Sequence, residues 1–246
     1  AKADVLKRLL TGPFAHCGIR WGLTGTVPKA DYEFMGLKCS IGDVANRIQA
    51  SELQDKGVLA NCHVNVLQTQ DHPQFKSYGE ELKWLTTNPT RMTWVAKTIQ
   101  DIATSGNTLI LVDRISAGEI LEKKIKDAVF VNGSTKNLDR KEQYDEISTS
   151  QNKVIIATYG VAAVGINIPR IFNLVLIEPG KSFVRVIQSI GRGIRKAKDK
   201  DSVQIWDITS SCKFAKRHLG ARKKFYKEAN YPYNIEKINY ENPYTG

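Results

Sequence analysis

Gln188, Gly191, Arg192 and Arg195 fall in the stretch QSIGRGIRK, an apolar-periodic segment that follows the strand-like run NLVLIEP. At roughly 100° per residue, Ile187, Ile190 and Ile194 share one side of a helix. Gln188, Arg192 and Arg195 share the other, with Arg185 near them. A solvated surface stripe is the plain alternative. Two features weigh against it. Gly191 and Gly193 each lower helix propensity by roughly 1 kcal/mol relative to Ala, and a purely solvated face does not need them. Arginine also suits planar, bidentate recognition of phosphate oxygens, and glycine beside it lets a second surface come close. The chemistry open to these residues is contact with phosphate charge across a cleft.

A helix of this kind needs a scaffold that aims it. From TRMTWVAKTIQDIATSG onward the pattern is regular. That segment reads as a helix capped by Thr90 or Thr93 and stopped by Gly106. NTLILVDR, AVFVNG, KVIIATYG, FNLVLIEP and SVQIWDIT read as strands. SAGEILEKKIKD, LDRKEQYDEISTS and KSFVRVIQSIGRGIRKA read as helices between them, and VAAVGINIP as a loop and turn. Upstream, VLANCHVNVLQTQ alternates like a strand, and DHPQFKSYGEELKWLTTNPT is turn-rich with a short helix inside. ADVLKRLL and IGDVANRIQASELQDKG read as helices, the second with Gly57 as its C-cap. CGIRWGLTGTVP reads as a buried strand ending in a Thr-Gly-Thr turn. Short β-rich runs alternating with amphipathic helices predict an α/β fold, a parallel sheet covered on both faces.

Ligands of such sheets bind beyond the carboxyl ends of the strands. The residues there are Thr24, Gly25 and Thr26; Asp113 and Arg114; Asn132, Gly133, Ser134 and Thr135; Thr158; and the run from Gly165 through Asn167 to Pro169. Polar, glycine-rich turns at strand ends can present N–H groups to phosphates. Any one of them alone is as well explained by a tight turn or a cap.

The net charge of +11 over 246 residues suggests an anionic partner, with nucleic acid ahead of membrane. The four cysteines are scattered, with no C-x-x-C pair, and the four histidines complete no zinc pattern, so no metal site is expected. No run is long or apolar enough for a membrane-spanning helix. The expected setting is cytoplasmic. The opening AKADVLKRLL has no initiator Met and reads like the middle of a longer protein.

Gln188-x-x-Gly191-Arg192-x-x-Arg195 resembles motif VI of the superfamily two helicases. Ile156-Ala157-Thr158 with the GINIP run resembles motif V, LILVDR motif IV, and LTGT, Leu23 to Thr26, motif III. The four stand in family order, each at a predicted strand end. Within the superfamily the likeness is greatest to the phage recombination helicases and the branch-migrating DNA translocases grouped with them. SELQDKGVL, the TYGV run, QSIGRGIRK and VQIWDIT carry that likeness.

The resemblance implies a RecA-like second helicase domain over residues 58–211. The end of a first RecA-like domain, with motif III, would precede it over residues 1–57. A basic, aromatic extension would follow over residues 212–246. It implies ATP and Mg²⁺ as cofactors, held mainly by a first half that is not in this sequence. No G-x-x-x-x-G-K-[ST] and no acidic motif II is present. The GKS at Gly180 to Ser182 has Val175 where the first glycine belongs and follows the wrong strand. By the resemblance, Arg192 and Arg195 stabilise charge on the γ-phosphate, Gln188 orients them, and Gly165, Asn167 and Gly191 border the nucleotide. Asn167 stands where many relatives carry Asp, so a carboxylate contact is missing there. Thr24, Gly25 and Thr26 form the turn that couples nucleotide to nucleic acid. Thr158, Arg114 and the turn Asn132-Gly133-Ser134-Thr135 contact the nucleic-acid backbone.

In the tail CKFAKRHLGARKKFYKEANYPYN, His218, Arg222 and Tyr226 share one helix face. Basic residues interleaved with aromatics suit a nucleic-acid groove. Lys223, Lys224 and Lys227 are the phosphate candidates, while Phe225 and Tyr226 are expected to pack on the domain. The implied partners are DNA, forked or branched, and the protein's own first RecA-like domain. An RNA helicase is the main rival, and Gln188, where DEAD-box RNA helicases usually carry His, leans away from it. A restriction-system helicase subunit and a non-catalytic nucleic-acid-binding module of the same fold are the others.

With half an ATP site, the isolated chain is expected to show no ATP hydrolysis above background. Robust turnover by the purified chain, abolished by Arg195→Ala, would overturn this reading of the site.

Overall fold

The computed structural model describes residues 4–23, 31–48, 52, 61–135, 151–163, 170–180 and 202–241. It divides into two compact units, Ala1–Gln49 and Ala50–Gly246.

The first unit holds α1 (Asp4–Thr11) and α2 (Asp31–Ile41). The Arg20 guanidinium ties it together, donating to the carbonyls of Phe14, Ala15 and Ser40 at 3.2, 2.6 and 3.0 Å. The segment around Trp21 forms no strand, contrary to its apolar pattern. Trp21 and Leu23 are 87% and 96% exposed. A strand is held by ladder bonds to a neighbour, and among the described residues this unit offers no strand to pair with. The helix predicted from Ile41 onward is displaced as well. α2 ends at Gly42, whose φ of +120° is open to few other residues, and residues 43–48 are irregular. Gly57 lies outside the described residues.

The second unit is a sheet of seven parallel strands in the order β3-β4-β2-β5-β6-β1-β7 among the described residues. The strands are β1 (Asn61–Thr69), β2 (Thr108–Val112), β3 (Ala128–Val131), β4 (Val154–Thr158), β5 (Asn173–Ile177), β6 (Ser202–Ser210) and β7 (Tyr233–Ile238). α3 (Tyr78–Thr87) and α4 (Pro89–Ala103) lead into β2, and α5 (Ile115–Lys124) leads from β2 to β3. The short α6 (Tyr159–Ala163) follows β4, and α7 (Lys213–Glu228) joins β6 to β7.

The α/β fold read from the sequence is therefore the observed one, and the central strands show why it was readable. TLILV and NLVLI are buried at every position, the signature of a strand covered on both faces. Alternation sends Leu109, Leu111, Ile155, Ala157, Leu174, Leu176 and Ile205 to one core, with Leu219 and Tyr226 of α7. It sends Ile110, Val112, Ile156, Val175, Ile177 and Ile208 to the other, with Met92, Val95 and Ile99 of α4 and Leu121 of α5.

Helix starts follow local chemistry. Ser77 and Glu80 form a capping box at α3. At α4 the cap is Asn88, accepting from the Arg91 N–H at 2.9 Å, and not Thr90 or Thr93. Pro89 suits the first helical position, where its missing N–H is not needed. The segment from Cys212, read as an extension, is built into the second unit. α7 covers one sheet face, and β7 pairs with β1 from Val64↔Tyr233 to Thr69↔Ile238.

α5 lies close enough on β3 that a Cβ at Gly118 would stand 2.3 Å from the Phe130 ring. Gly118→Ala is expected to lower unfolding stability by about 1–3 kcal/mol through overpacking. Phe130→Leu in the same chain should recover much of that loss in urea titrations. An unchanged midpoint for Gly118→Ala alone would show that the ring simply turns aside.

Candidate functional site

All seven strands run the same way, so their carboxyl ends share one edge of the sheet. The chain leaves β2 toward β3 and leaves β5 toward β6, in opposite directions along the strand order. Their ends therefore flank the point where the connections reverse, the usual place for a ligand crevice in such a sheet. Asp113 and Arg114 follow β2 there, and Glu178, Pro179 and Gly180 follow β5.

The register brings three of the sequence candidates together. Thr158 pairs with Val112, two residues before Arg114, and Ala157 pairs with Val131, one residue before Asn132. Arg114 donates through Nη2 to the Gly79 carbonyl at 3.3 Å, and its buried Nε has no hydrogen-bond partner. Thr158 is half-buried, and its Oγ1 accepts a long 3.5 Å bond from the Val161 N–H, so it also starts α6. The turn from Asn132 spends much of its polarity on itself. The Asn132 Oδ1 accepts from the Ser134 N–H and hydroxyl at 2.9 and 2.6 Å, and the Thr135 Oγ1 accepts from the Asn132 N–H at 3.1 Å. Gly133 and Ser134 stay exposed at its tip, and a Cβ at Gly133 would meet nothing within 4 Å.

The other half of the edge is closed by buried charge that the sequence reading missed. Arg91 is 0% exposed. Its Nη2 donates to Glu178 Oε1 at 2.5 Å, its Nη1 to the Leu85 carbonyl at 2.5 Å, and its Nε lies 3.6 Å from Asp71 Oδ2. Asp71 also accepts from Ser210 Oγ and Tyr240 Oη, each at 2.6 Å. Arg222 grips Asp207 with Nε at 2.7 Å and Nη2 at 2.9 Å, and donates through Nη1 to the Pro179 carbonyl at 2.5 Å. Tyr226 Oη donates to the same Asp207 at 2.8 Å. Glu81, also buried, accepts from the N–H groups of Phe214 and Ala215 and so caps α7 from another helix.

Two guanidiniums thus face the three carboxyl groups of Asp71, Glu178 and Asp207. Burial, opposed by Arg91 and then Arg222, pushes Glu178 up to about 7. Tyr78 sits beside this cluster, and burial together with the charges of Asp113 and Glu178 pushes its phenol up to about 12. The sequence signal for the cluster was faint. Arg91 shares a helix stripe with Met92, Val95 and Ile99, and Asp207 sits inside an apolar strand.

The tail helix packs Phe225 and Tyr226 on the domain, as expected from the sequence, and buries Arg222 with them. The face shared by His218, Arg222 and Tyr226 points into the protein and is buried. Lys224 and Lys227 are exposed on the opposite side with Lys213, Lys216 and Arg217, while Lys223 is half-buried. These lysines are not on the turn-bearing edge of β2, β3 and β4. Thr24, Gly25, Thr26, Gly165, Asn167, Gln188, Gly191, Arg192 and Arg195 lie outside the described residues. Among the described residues no group of His, Cys, Asp or Glu side chains is placed to hold a metal ion, and no helix is long and apolar enough to cross a membrane.

Residues 90–197 match the model of the helicase conserved C-terminal domain. Over that span the chain is similar to the C-terminal domain of helicases. The match spans Arg114, the Asn132 turn, Thr158 and the segment from Gln188 to Arg195, and ends before β6 and α7. Over 92% of its length the chain is 25% identical to the ATP-dependent DNA helicase uvsW of Enterobacteria phage T4, in keeping with the likeness to phage recombination helicases read from the sequence. It spans 49% of that protein. The crystal structure of T4 UvsW has the same fold, with a TM-score of 0.65 at 20% identity, covering 84% of this chain and 45% of that one. A fragment described as an HsdR subunit of a type I restriction enzyme from Vibrio vulnificus superposes with a TM-score of 0.69 at 18% identity, over 89% of this chain and 44% of its own. The C-terminal domain of the DEAD-box protein Dbp5 gives 0.50 at 18% identity, over 74% and 92%. The buried ions lie in the half of the sheet that runs from β5 to β7 in the strand order.

For Glu178 the sign of the pH effect follows from its upward shift. Its ordinary value is 4.5 and its value in the fold about 7. Its contribution to stability is full below the ordinary value and is lost as pH rises through the value in the fold. Urea midpoints measured between pH 4.5 and 8 should fall with rising pH, and Glu178→Gln should flatten that fall whatever it does to the absolute midpoint. An unaltered slope would mean that Glu178 does not titrate in this window.

Proposed function

We propose that the chain is the second motor half of an ATP-dependent DNA helicase or translocase acting on forked or branched DNA in recombination, repair or replication. The observation that carries the reading is the carboxyl edge itself. Arg114, Asn132 and Thr158 stand side by side at the ends of β2, β3 and β4. The exit of β5, which leads to Gln188, Arg192 and Arg195, stands across the reversal point from Arg114.

In this reading residues 1–57 are the end of a first RecA-like domain, residues 58–211 the second, and residues 212–246 a basic segment completing its sheet. ATP and Mg²⁺ are held mainly by the first domain, which is also the protein's main internal partner. Arg192 and Arg195 meet the γ-phosphate as water attacks, with Gln188 orienting them and Gly165, Asn167 and Gly191 beside the nucleotide. Thr24, Gly25 and Thr26 couple the two sites. Arg114, Thr158 and the exposed tip at Gly133 and Ser134 contact phosphates of the DNA backbone, which position without reading sequence. Lys224 and Lys227, with Lys223 beside them, add a second, cationic contact to the backbone on α7. The setting is cytoplasmic. DNA is preferred over RNA on the likeness to uvsW, which covers 92% of this chain.

The test is ATPase of the complete protein with single-stranded, duplex and forked DNA, and with RNA, as stimulators. Forked DNA is expected to stimulate most. Arg192→Ala and Arg195→Ala should each lower kcat by about two to four orders of magnitude with DNA affinity nearly intact. Stimulation by RNA alone, or loss of DNA affinity at normal kcat, would reverse the assignment.

A further inference from the structure

α7 gathers one sign of charge on one side. Its exposed charged residues are five cations, Lys213, Lys216, Arg217, Lys224 and Lys227, and one anion, Glu228, at the far end. At 100° per residue the five cations fall within about 100° of one another. They lie opposite the buried face of His218, Arg222 and Tyr226. Lys213 with Lys216 and Arg217, and Lys224 with Lys227, stand three or four residues apart, where like charges repel. Lys213 and Lys216 also occupy the first turn, which holds no acid, although the helix macrodipole disfavours cations there. Among the described residues no carboxylate pairs with any of the five. The face carries charge that its own fold leaves uncompensated.

The packing of the helix decides which form of nucleic acid such a face suits. Unpaired strands are held by aromatic rings that stack on their bases. No ring of α7 is exposed. Tyr226 is fully buried, and Phe225 packs half-buried against Tyr226 and Tyr231, its centroid 6.2 Å from each. Phe214 is half-buried beside Tyr78 at 6.4 Å, with the Lys213 ammonium 5.6 Å over its ring. Between the two groups of cations stand Gly220 and Ala221, both exposed and short. The same lack of an aromatic or long aliphatic anchor counts against a protein partner, whose affinity is concentrated in such anchors. A duplex offers what remains, regular rows of phosphates. α7 sets Lys213 and Lys227 about 21 Å apart along its axis, the length of about six phosphates along one strand of a duplex.

We propose that the outer face of α7 is a binding surface for duplex DNA, separate from the contacts at the ends of β2, β3 and β4. It extends the contact at Lys224 and Lys227 to Lys213, Lys216 and Arg217, and it takes paired rather than single strands. The choice of nucleic acid as partner rests on the helicase reading above. The contact is to phosphates, which carry no sequence information.

The test is binding of the complete protein to a blunt duplex and to a single strand of equal length and scrambled sequence, across a salt series and without nucleotide. Lys213→Gln, Lys216→Gln and Arg217→Gln together are expected to weaken duplex binding about tenfold at moderate salt and to make the log–log salt slope shallower by about two to three. Lys224→Gln with Lys227→Gln should act in the same direction, by about fivefold. Single-strand affinity should change less than about twofold in either variant. Thermal midpoints should hold, since removing charges that repel one another disturbs no packing. A control that removes three exposed lysines elsewhere, Lys97→Gln, Lys123→Gln and Lys126→Gln, should leave duplex binding within about twofold. Equal losses for duplex and single strand, a control effect as large as that on α7, or a loss that tracks a lowered thermal midpoint overturns the proposal. So does an unchanged duplex affinity, which would leave the face to an acidic protein. A parent protein that binds neither form of DNA would instead sink the helicase reading, and this inference would fall with it.

Discussion

A guanidinium has no neutral form at any pH that a folded protein meets, so burying one obliges the fold to bring it acceptors. Here two are buried, Arg91 from α4 and Arg222 from α7, on opposite faces of the sheet. Their acceptors, Asp71, Glu178 and Asp207, come from the ends of β1 and β5 and the body of β6. Removing one partner of such a pair leaves an uncompensated charge and costs about 3–5 kcal/mol. The pairs therefore act less as a net source of stability than as a demand on geometry. α4 and α7 can sit at only one height along the strands if every donor is to be satisfied.

That demand divides the carboxyl edge in two. Among the described residues, the buried polar side chains under β1, β5 and β6 are hydrogen-bonded, down to the hydroxyls of Thr69, Thr209 and Ser210. Under β2, β3 and β4 it carries Arg114, the Asn132 turn and Thr158, part-exposed groups with capacity left over, such as the unpaired Nε of Arg114. The boundary between the halves is the β2–β5 reversal. On the proposed helicase reading, a bonded half beside an open half suits the holding of phosphates in a fixed place. Preorganised groups act on developing charge without reorganising when it forms.

The strands were legible because each central one is covered on both faces, so its apolar run is unbroken and short. The strand-end candidates were legible for the same reason, since the end of such a run is unambiguous. Trp21 shows where this fails. Its segment has the pattern of a strand, but a pattern forms no ladder without a neighbour, and local sequence does not report neighbours. The helix read from Ile41 onward was misplaced, because the helix present, α2, ends there at Gly42. The tail was half legible. Its helix and the inward turn of Phe225 and Tyr226 were readable, but its lysines and Arg222 look alike in the sequence.

By itself, then, the sequence determined the α/β class, the order of β1 to β6 along the chain and the turns after β2, β3 and β4. These depend on period and local composition, which a single segment carries within itself. The tertiary structure alone decided which strand lies beside which, and so which turns share an edge. It also decided that Arg222 faces Asp207 and Lys224 faces solvent, and that Arg91 meets Glu178 across 87 residues of chain. Partnership between distant charges is a property of the packed edge, because only burial raises the energy of an unpaired charge enough to dictate where its partner must be.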